Sequence, residues 1–163
     1  MTFRVCFVCT GNICRSPTAE IVFRHLVSEA DLDGAVDVDS AGTGSWHSGD
    51  DADPRAIRTM KAAGYEVPRH RARQFRPTDF AERDLIVALA AGHEWTLRRW
   101  ARTEEEADKV RLLRSFDPAS AGGRDLDVPD PYSGASSFPH VLGLIEAACR
   151  GLLDDVRTSL PAR

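Results

Sequence analysis

Cys9 and Arg15 stand with five residues between them in the stretch Cys9-Thr10-Gly11-Asn12-Ile13-Cys14-Arg15-Ser16. A thiol and a guanidinium at this spacing offer a nucleophile and a holder for an oxyanion. The planar, permanently charged guanidinium can take two oxygens of a phosphate at once. Phe3 to Val8 before the stretch is an apolar run with β-branched residues, and Pro17-Thr18-Ala19-Glu20-Ile21-Val22-Phe23 after it reads as a helix start. A strand, short loop and helix in that order aim loop amides and the helix N-terminus at one point, which makes an anion site. Such surroundings favour a thiolate. Gly11 lets the backbone approach a ligand closely, and Asn12 tolerates a left-handed conformation. The competing reading is a buried cysteine and a surface arginine that merely lie close in sequence; it accounts for neither the glycine nor the context.

The elements that must position this loop can be read in order. Residues 3–8 form a central strand buried on both faces, because the apolar run barely alternates. Residues 19–30 form an amphipathic helix with Ile21, Val22, Leu26 and Val27 inward and Glu20, Arg24 and Glu29 outward. Ser16 is read as its cap, with Pro17 in the first turn. Residues 36–38 are a second strand, and 41–52, rich in Gly, Ser, Asp and His, a loop. A helix runs from Asp53-Pro54-Arg55 to about Ala63 and ends at Gly64. A third strand covers 84–89, a helix 92–101 and a fourth strand 110–113. Glu104-Glu105-Glu106 is a solvated charge run. Trp95 and Trp100 pack or cover rather than bind. Residues 115–133 show no period, and a long helix spans 136–160 with Val141, Leu144, Ile145, Ala148, Leu152 and Val156 inward. Strands alternating with helices imply an α/β fold with a four-stranded parallel sheet, helices on both faces and the phosphate-binding loop after the first strand. The ligand crevice then lies beyond the C-terminal ends of the strands, which Cys9, Ser40 and Ala90 all follow.

Composition narrows the class of function. The 163 residues suit one domain spanning 1–163, with 42% hydrophobic and 28% charged residues, as in ordinary globular proteins. A net charge of −4 argues against nucleic acid as a partner. No apolar run reaches the roughly 20 residues of a membrane span. Met1 leads straight into strand residues, so no signal peptide is read, and a cytoplasmic location is expected; export by a route that needs no signal stays open. The four cysteines, Cys6, Cys9, Cys14 and Cys149, are taken as reduced. No zinc framework and no Cys-x-x-Cys redox pair is read from them.

At CTGNICRSP, residues 9–17, and at Asp130-Pro131-Tyr132 with Gly134, the chain resembles the low-molecular-weight protein tyrosine phosphatases, most closely the bacterial members. Asp39-Ser40-Ala41-Gly42-Thr43, Trp46-His47, Asp53-Pro54-Arg55 and His70-Arg71-Ala72-Arg73 also fit, so the resemblance spans nearly the whole chain. It implies a small doubly wound fold and hydrolysis of phosphotyrosine or aryl phosphates through a cysteinyl-phosphate. Cys9 is then the nucleophile, Arg15 the phosphate holder and Asp130 the general acid. Thr10, Gly11, Asn12, Ile13, Cys14 and Ser16 would line the phosphate loop. Trp46 and Tyr132 would wall the cleft, the reading the resemblance favours, although a loop tryptophan can also cap the local core. Asp130 on its own reads equally well as a turn residue. His70 and Ser40 would support the loop through Asn12, and Ser16 would donate to the Cys9 sulfur. Cys14 is expected to resolve oxidised Cys9 as a disulfide. No metal or cofactor is implied, inorganic phosphate would compete, and a monomer is expected.

Three positions depart from the family pattern. Ser133 stands where a second Tyr is frequent, and Arg69 where an acidic residue is frequent. Ala90 stands where an Asp usually caps the next helix, so Ala90→Asp is expected to raise the melting temperature. Two other classes stay open at this point. Thioredoxin-coupled arsenate reductases use a similar loop but need further cysteines in mid-chain, and none lies between Cys14 and Cys149. A phosphotyrosine-binding module without turnover would not need Cys9, Arg15 and Asp130 together.

Overall fold

The computed structural model describes residues 1–162; Arg163, the end of the expected domain span, lies outside them. Four parallel strands, β1 (Phe3–Cys9), β2 (Val36–Gly42), β3 (Leu85–Ala88) and β4 (Val110–Leu112), lie in the order β2-β1-β3-β4. β1 pairs with β2 from Phe3–Val36 to Cys9–Gly42 and with β3 from Val5–Leu85 to Val8–Ala88. The chain leaves β1 for one neighbour and later returns to its other side. The C-terminal end of β1 is therefore the point where the strand order reverses, and a crevice opens there in sheets of this kind.

The unalternating apolar run of β1 has a direct cause. Val5, Phe7 and Cys9 face a core built with α1 (Arg15–Glu29) and α6 (Phe138–Ser159), through Val22, Phe23, Ile145 and Leu152. Cys6 and Val8 face a second core with Phe75, Phe80 and Leu97. Phe80 lies on α3 (Asp79–Glu82) and Leu97 on α4 (Ala91–Trp100). Both faces of the sheet are thus covered by helices, as expected. α2 (Pro54–Ala62) buries Ala56 and Met60 against Ile21 of α1.

Several boundaries differ from the sequence reading. α1 starts at Arg15 instead of Ala19, because the loop runs straight into the helix and Pro17 needs no amide partner in the first turn. Ser16 is not its cap: Cys14 holds that position without a side-chain bond, and Ser16 turns toward the thiol of Cys9. Glu20 is buried rather than outward, where it accepts from Ser40 and pairs with Arg24 at 2.8 Å. β2 continues through residues that looked loop-like, since Asp39 is paired with Arg73 and Arg83, and Ser40 is buried and hydrogen-bonded. The charge run at 104–106 forms a short helix, α5 (Glu104–Asp108), capped by Thr103. Two helices, not one, therefore follow each of β2 and β3. Trp95 is largely exposed, under the guanidinium of Arg99, while Trp100 packs on the second core. Residues 117–137 have no regular structure, and Ser137 then caps α6 by accepting from the His140 amide.

Gly151 of α6 sits against the 3-10 turn Leu113–Phe116, where a Cβ would lie 1.8 Å from the Phe116 carbonyl oxygen. Gly143 on the same helix has nothing within 4 Å. Helix propensity alone favours Ala at both by about 1 kcal/mol. Gly143→Ala is expected to stabilise by up to that amount. Gly151→Ala is expected to destabilise by about 1–3 kcal/mol, because backbone must move. Thermal unfolding of the two variants side by side checks the opposite signs.

Candidate active site

Asn12 sets the shape of the loop between β1 and α1. Its φ of 57° lets the backbone reverse within one residue, and its side chain is wholly buried. The Arg73 amide donates to its Oδ1 at 3.0 Å, which fixes the amide orientation. Its Nδ2 then donates to Ser16 Oγ at 2.8 Å and to Ser40 Oγ at 3.0 Å. The Ser40 hydroxyl in turn donates to Glu20 Oε1 at 2.6 Å. Ser16 thus accepts from Asn12 and keeps its proton to donate, with the Cys9 Sγ 2.9 Å away and the Ala41 carbonyl at 3.3 Å both within reach. The His70 ring nitrogen Nε2 lies 2.7 Å from the Asn12 carbonyl. Glu20 and Arg73 were not foreseen as parts of this network. Only the burial of a charged residue amid α1 could have flagged the first.

The end of β2 supports the loop from the side. The amides of Thr43 and Gly44 donate to the carbonyls of Cys9 and Thr10 at 2.8 and 2.9 Å. A Cβ on Gly42 would stand 2.5 Å from the Thr10 carbonyl oxygen, so only glycine allows this approach.

Cys9, Thr10, Gly11, Ile13, Cys14, Arg15, Trp46, His47, Asp130 and Tyr132 line one cavity of about 150 Å³. The nucleophile, guanidinium and carboxylate named from the sequence are therefore brought together, with Arg15 Nη2 3.6 Å from Asp130 Oδ2. Arg15 is buried, and its Nη1 donates to the Val128 carbonyl at 3.0 Å. Trp46 and Tyr132 are largely exposed at the rim. The side chains of Asn12, Ser16, Ser40 and His70 are not in the cavity wall but in the network behind it. His47, bonded to Asp50 at 3.2 Å, is a wall residue missing from the expected set. A larger groove of about 770 Å³, lined by Arg24, His25 and Tyr65 among others, carries no thiol. Among the described residues no group of side chains fits a metal ion.

The cysteines need one correction. Cys6 and Cys9 do stand at Cys-x-x-Cys spacing, but β1 is extended, so they face opposite sides of the sheet and belong to different cores. All four are free thiols. Burial, with the negative charges of Asp53, Cys9 and Asp130 nearby, pushes the Cys14 thiol up to about 12.

The Ala90 expectation is also corrected. α4 lacks a side-chain cap at Ala90, but Asp127 Oδ1 accepts from the Ala91 amide at 2.7 Å. Ala90 is itself buried, so a carboxylate there would be desolvated beside Asp127. Ala90→Asp alone is therefore no longer expected to stabilise.

His93, on the first turn of α4, was not foreseen. It is buried, and its Nε2 lies 2.8 Å from Thr10 Oγ1, while its Nδ1 has no hydrogen-bond partner among the described residues. Burial, and then the Arg15 charge, pull its pKa down from 6.5 to about 4. The unfolded chain takes up a proton between these values that the folded chain refuses. Stability contributed by neutral His93 is thus complete above pH 6.5 and lost as pH falls toward 4. His93→Gln, which can keep a contact to Thr10, is expected to flatten the melting temperature over that window. A profile of melting temperature against pH for both proteins checks this.

Comparison with known proteins places this geometry. The family model for low molecular weight phosphotyrosine protein phosphatases matches residues 4–162. The low molecular weight protein-tyrosine-phosphatase of Streptomyces coelicolor is 57% identical, covering 100% of this chain and 99% of that protein. Low molecular weight protein-tyrosine phosphatase A of Mycobacterium tuberculosis is 50% identical, covering 92% of this chain and 89% of its own. The crystal structure of YfkJ from Bacillus subtilis aligns with a TM-score of 0.90 at 33% identity, covering 98% of this chain and 97% of that one. With a thiol, a guanidinium and a carboxylate around one cavity at the end of β1, the chain belongs to the low molecular weight phosphotyrosine protein phosphatase family, hydrolases that cleave phosphotyrosine and aryl phosphates through a cysteinyl-phosphate.

Proposed function

We propose that Cys9, Arg15 and Asp130 carry out this hydrolysis in two displacements. The single observation that supports the assignment is their convergence on one cavity, with the Asp130 carboxylate 3.6 Å from the Arg15 guanidinium. The Cys9 thiolate attacks phosphorus as the bond to the leaving oxygen breaks. Arg15 and the loop amides hold the equatorial oxygens while charge redistributes. Asp130 gives its proton to the departing phenolate and afterwards takes one from the water that attacks the cysteinyl-phosphate. The sulfur–phosphorus bond then breaks, inorganic phosphate leaves and the thiolate is restored, eased by the Ser16 hydroxyl 2.9 Å away. Ile13, Trp46, His47 and Tyr132 form the walls against which an aryl group packs. Inorganic phosphate competes for the same cradle.

The wider assignments rest on coarser support. Phosphotyrosine-containing proteins, rather than nucleic acids, suit the net charge of −4. No helix of the described residues is long and apolar enough to cross a membrane. A cytoplasmic location suits the four free thiols, and the protein is taken to act as a monomer. Cys14 is placed in the wall beside Cys9 and serves as the resolving thiol. Peroxide converts Cys9 to a sulfenic acid, which condenses with the Cys14 thiol to a disulfide and water. Protonation of Cys14 makes that second step slow.

Cys9→Ser is expected to abolish turnover of p-nitrophenyl phosphate while tungstate or phosphate still binds, measured by calorimetry; turnover persisting in the purified variant would refute the nucleophile. Asp130→Asn is expected to cost about 10²–10⁴-fold for basic leaving groups, the usual range for a general acid, and much less for acidic ones. A series of substituted phenyl phosphates gives that slope, and equal losses across it would leave Asp130 without an acid role.

A further inference from the structure

Asp127 caps a helix that begins 36 residues before it. Its carboxylate accepts from the Ala91 amide at 2.7 Å, where Ala90 supplies no side-chain hydrogen bond. The same stretch of chain carries Asp130, three residues on. Around Asp127 the stretch is also held through its own amides and carbonyls and by the buried Val128 side chain, which packs in the first core. The Val128 amide donates to the Leu89 carbonyl at 2.8 Å, Arg114 donates to the Asp127 carbonyl at 2.8 Å, and Arg15 donates to the Val128 carbonyl at 3.0 Å. Between Asp127 and Asp130 the chain is stiff. Pro129 and Pro131 fix their own φ angles and restrict Val128 and Asp130 before them. A shift at Asp127 is therefore carried in part along the strut to Asp130, against the ties that hold Val128.

We infer that Asp127 is a positioning residue: its bond to the start of α4 sets where Asp130 stands over Cys9, so that one hydrogen bond both caps the helix and places the acid. This rests on the acid role of Asp130 given above. A carboxylate at a helix N-terminus is held by hydrogen bond and dipole together, which makes it a firm anchor. Displacing a proton donor by as little as about 1 Å can cost up to about 10²-fold in rate. The backbone ties survive in a variant, so the expected loss is partial.

The test compares Asp127→Ala, Asp127→Asn and the double variant Ala90→Asp/Asp127→Ala with the wild type. Each is measured for melting temperature and for kcat/KM on aryl phosphates of graded leaving-group basicity. Asp127→Ala is expected to lower kcat/KM for phenyl phosphate about tenfold and for p-nitrophenyl phosphate less than about threefold, a fraction of the full general-acid effect. Its melting temperature falls by about 2–4 °C, as for a lost cap in a chain of this size. Asp127→Asn keeps an acceptor and stays close to wild type in both. The double variant regains the melting temperature, through a cap on α4 itself, but not the rate on phenyl phosphate. A purely structural Asp127 gives the opposite: rates that recover with the melting temperature, or equal losses across the series, overturn the inference. A flat series for Asp130→Asn overturns the acid role and this inference together. A steep series for Asp130→Asn beside a flat one for Asp127→Ala overturns the inference alone.

Discussion

The amide side chain of Asn12 is the constraint on which the site depends. One buried group meets the Arg73 amide, Ser16 and Ser40, and its backbone takes the left-handed conformation that turns the chain from strand to helix. Every bond it makes restricts the others. The Arg73 amide dictates which end of the Asn12 side chain donates, and that in turn decides where the Ser16 proton can point. A buried network in which each donor and acceptor is used is worth more than its parts, and one left half-satisfied is costly. The negative end of this chain of bonds, Glu20, sits inside the protein beside Arg24, so its charge is balanced where water cannot do it.

The sheet supplies the rest of the geometry. β1 is the central strand from which the chain departs in both directions, so the segments that follow β2 and β3 return to its C-terminal end. Arg73 and His70 arrive after α2, Trp46 and His47 after β2, His93 after β3 and Asp127 after β4. None of these is near Cys9 in sequence. The topology alone gathers them, and the helices on both faces keep the strand ends fixed.

Much of this was legible in the chain. The run 3–8 gave β1 because both faces are buried, and the alternation of periods gave the parallel sheet. Cys9, Arg15 and Asp130 were legible as residue types at a telling spacing and through family resemblance. What stayed hidden shares a physical cause. Ser16 was read as a cap because capping depends on local spacing, whereas its real partner is seven residues back across the loop. Glu20 falls on the polar side of a helical wheel, yet that side faces β2. His93 and Asp127 owe their places to contacts 83 and 36 residues distant, which no local pattern encodes. The Cys6–Cys9 spacing would mislead a reader of motifs, since only the pleat of β1 shows that the two thiols face apart.

Gly42 carries an implication for transplanting this loop. The strand that contains it pairs with β1 residue by residue up to Cys9, and its lack of a side chain admits the Thr10 carbonyl. The mould in which the eight residues from Cys9 to Ser16 are cast is therefore held by another part of the chain. Grafted onto a different strand, loop and helix, those residues would bring their thiol and guanidinium along but leave the mould behind. The unit of inheritance in this site is a pair of adjacent strand ends, not a motif.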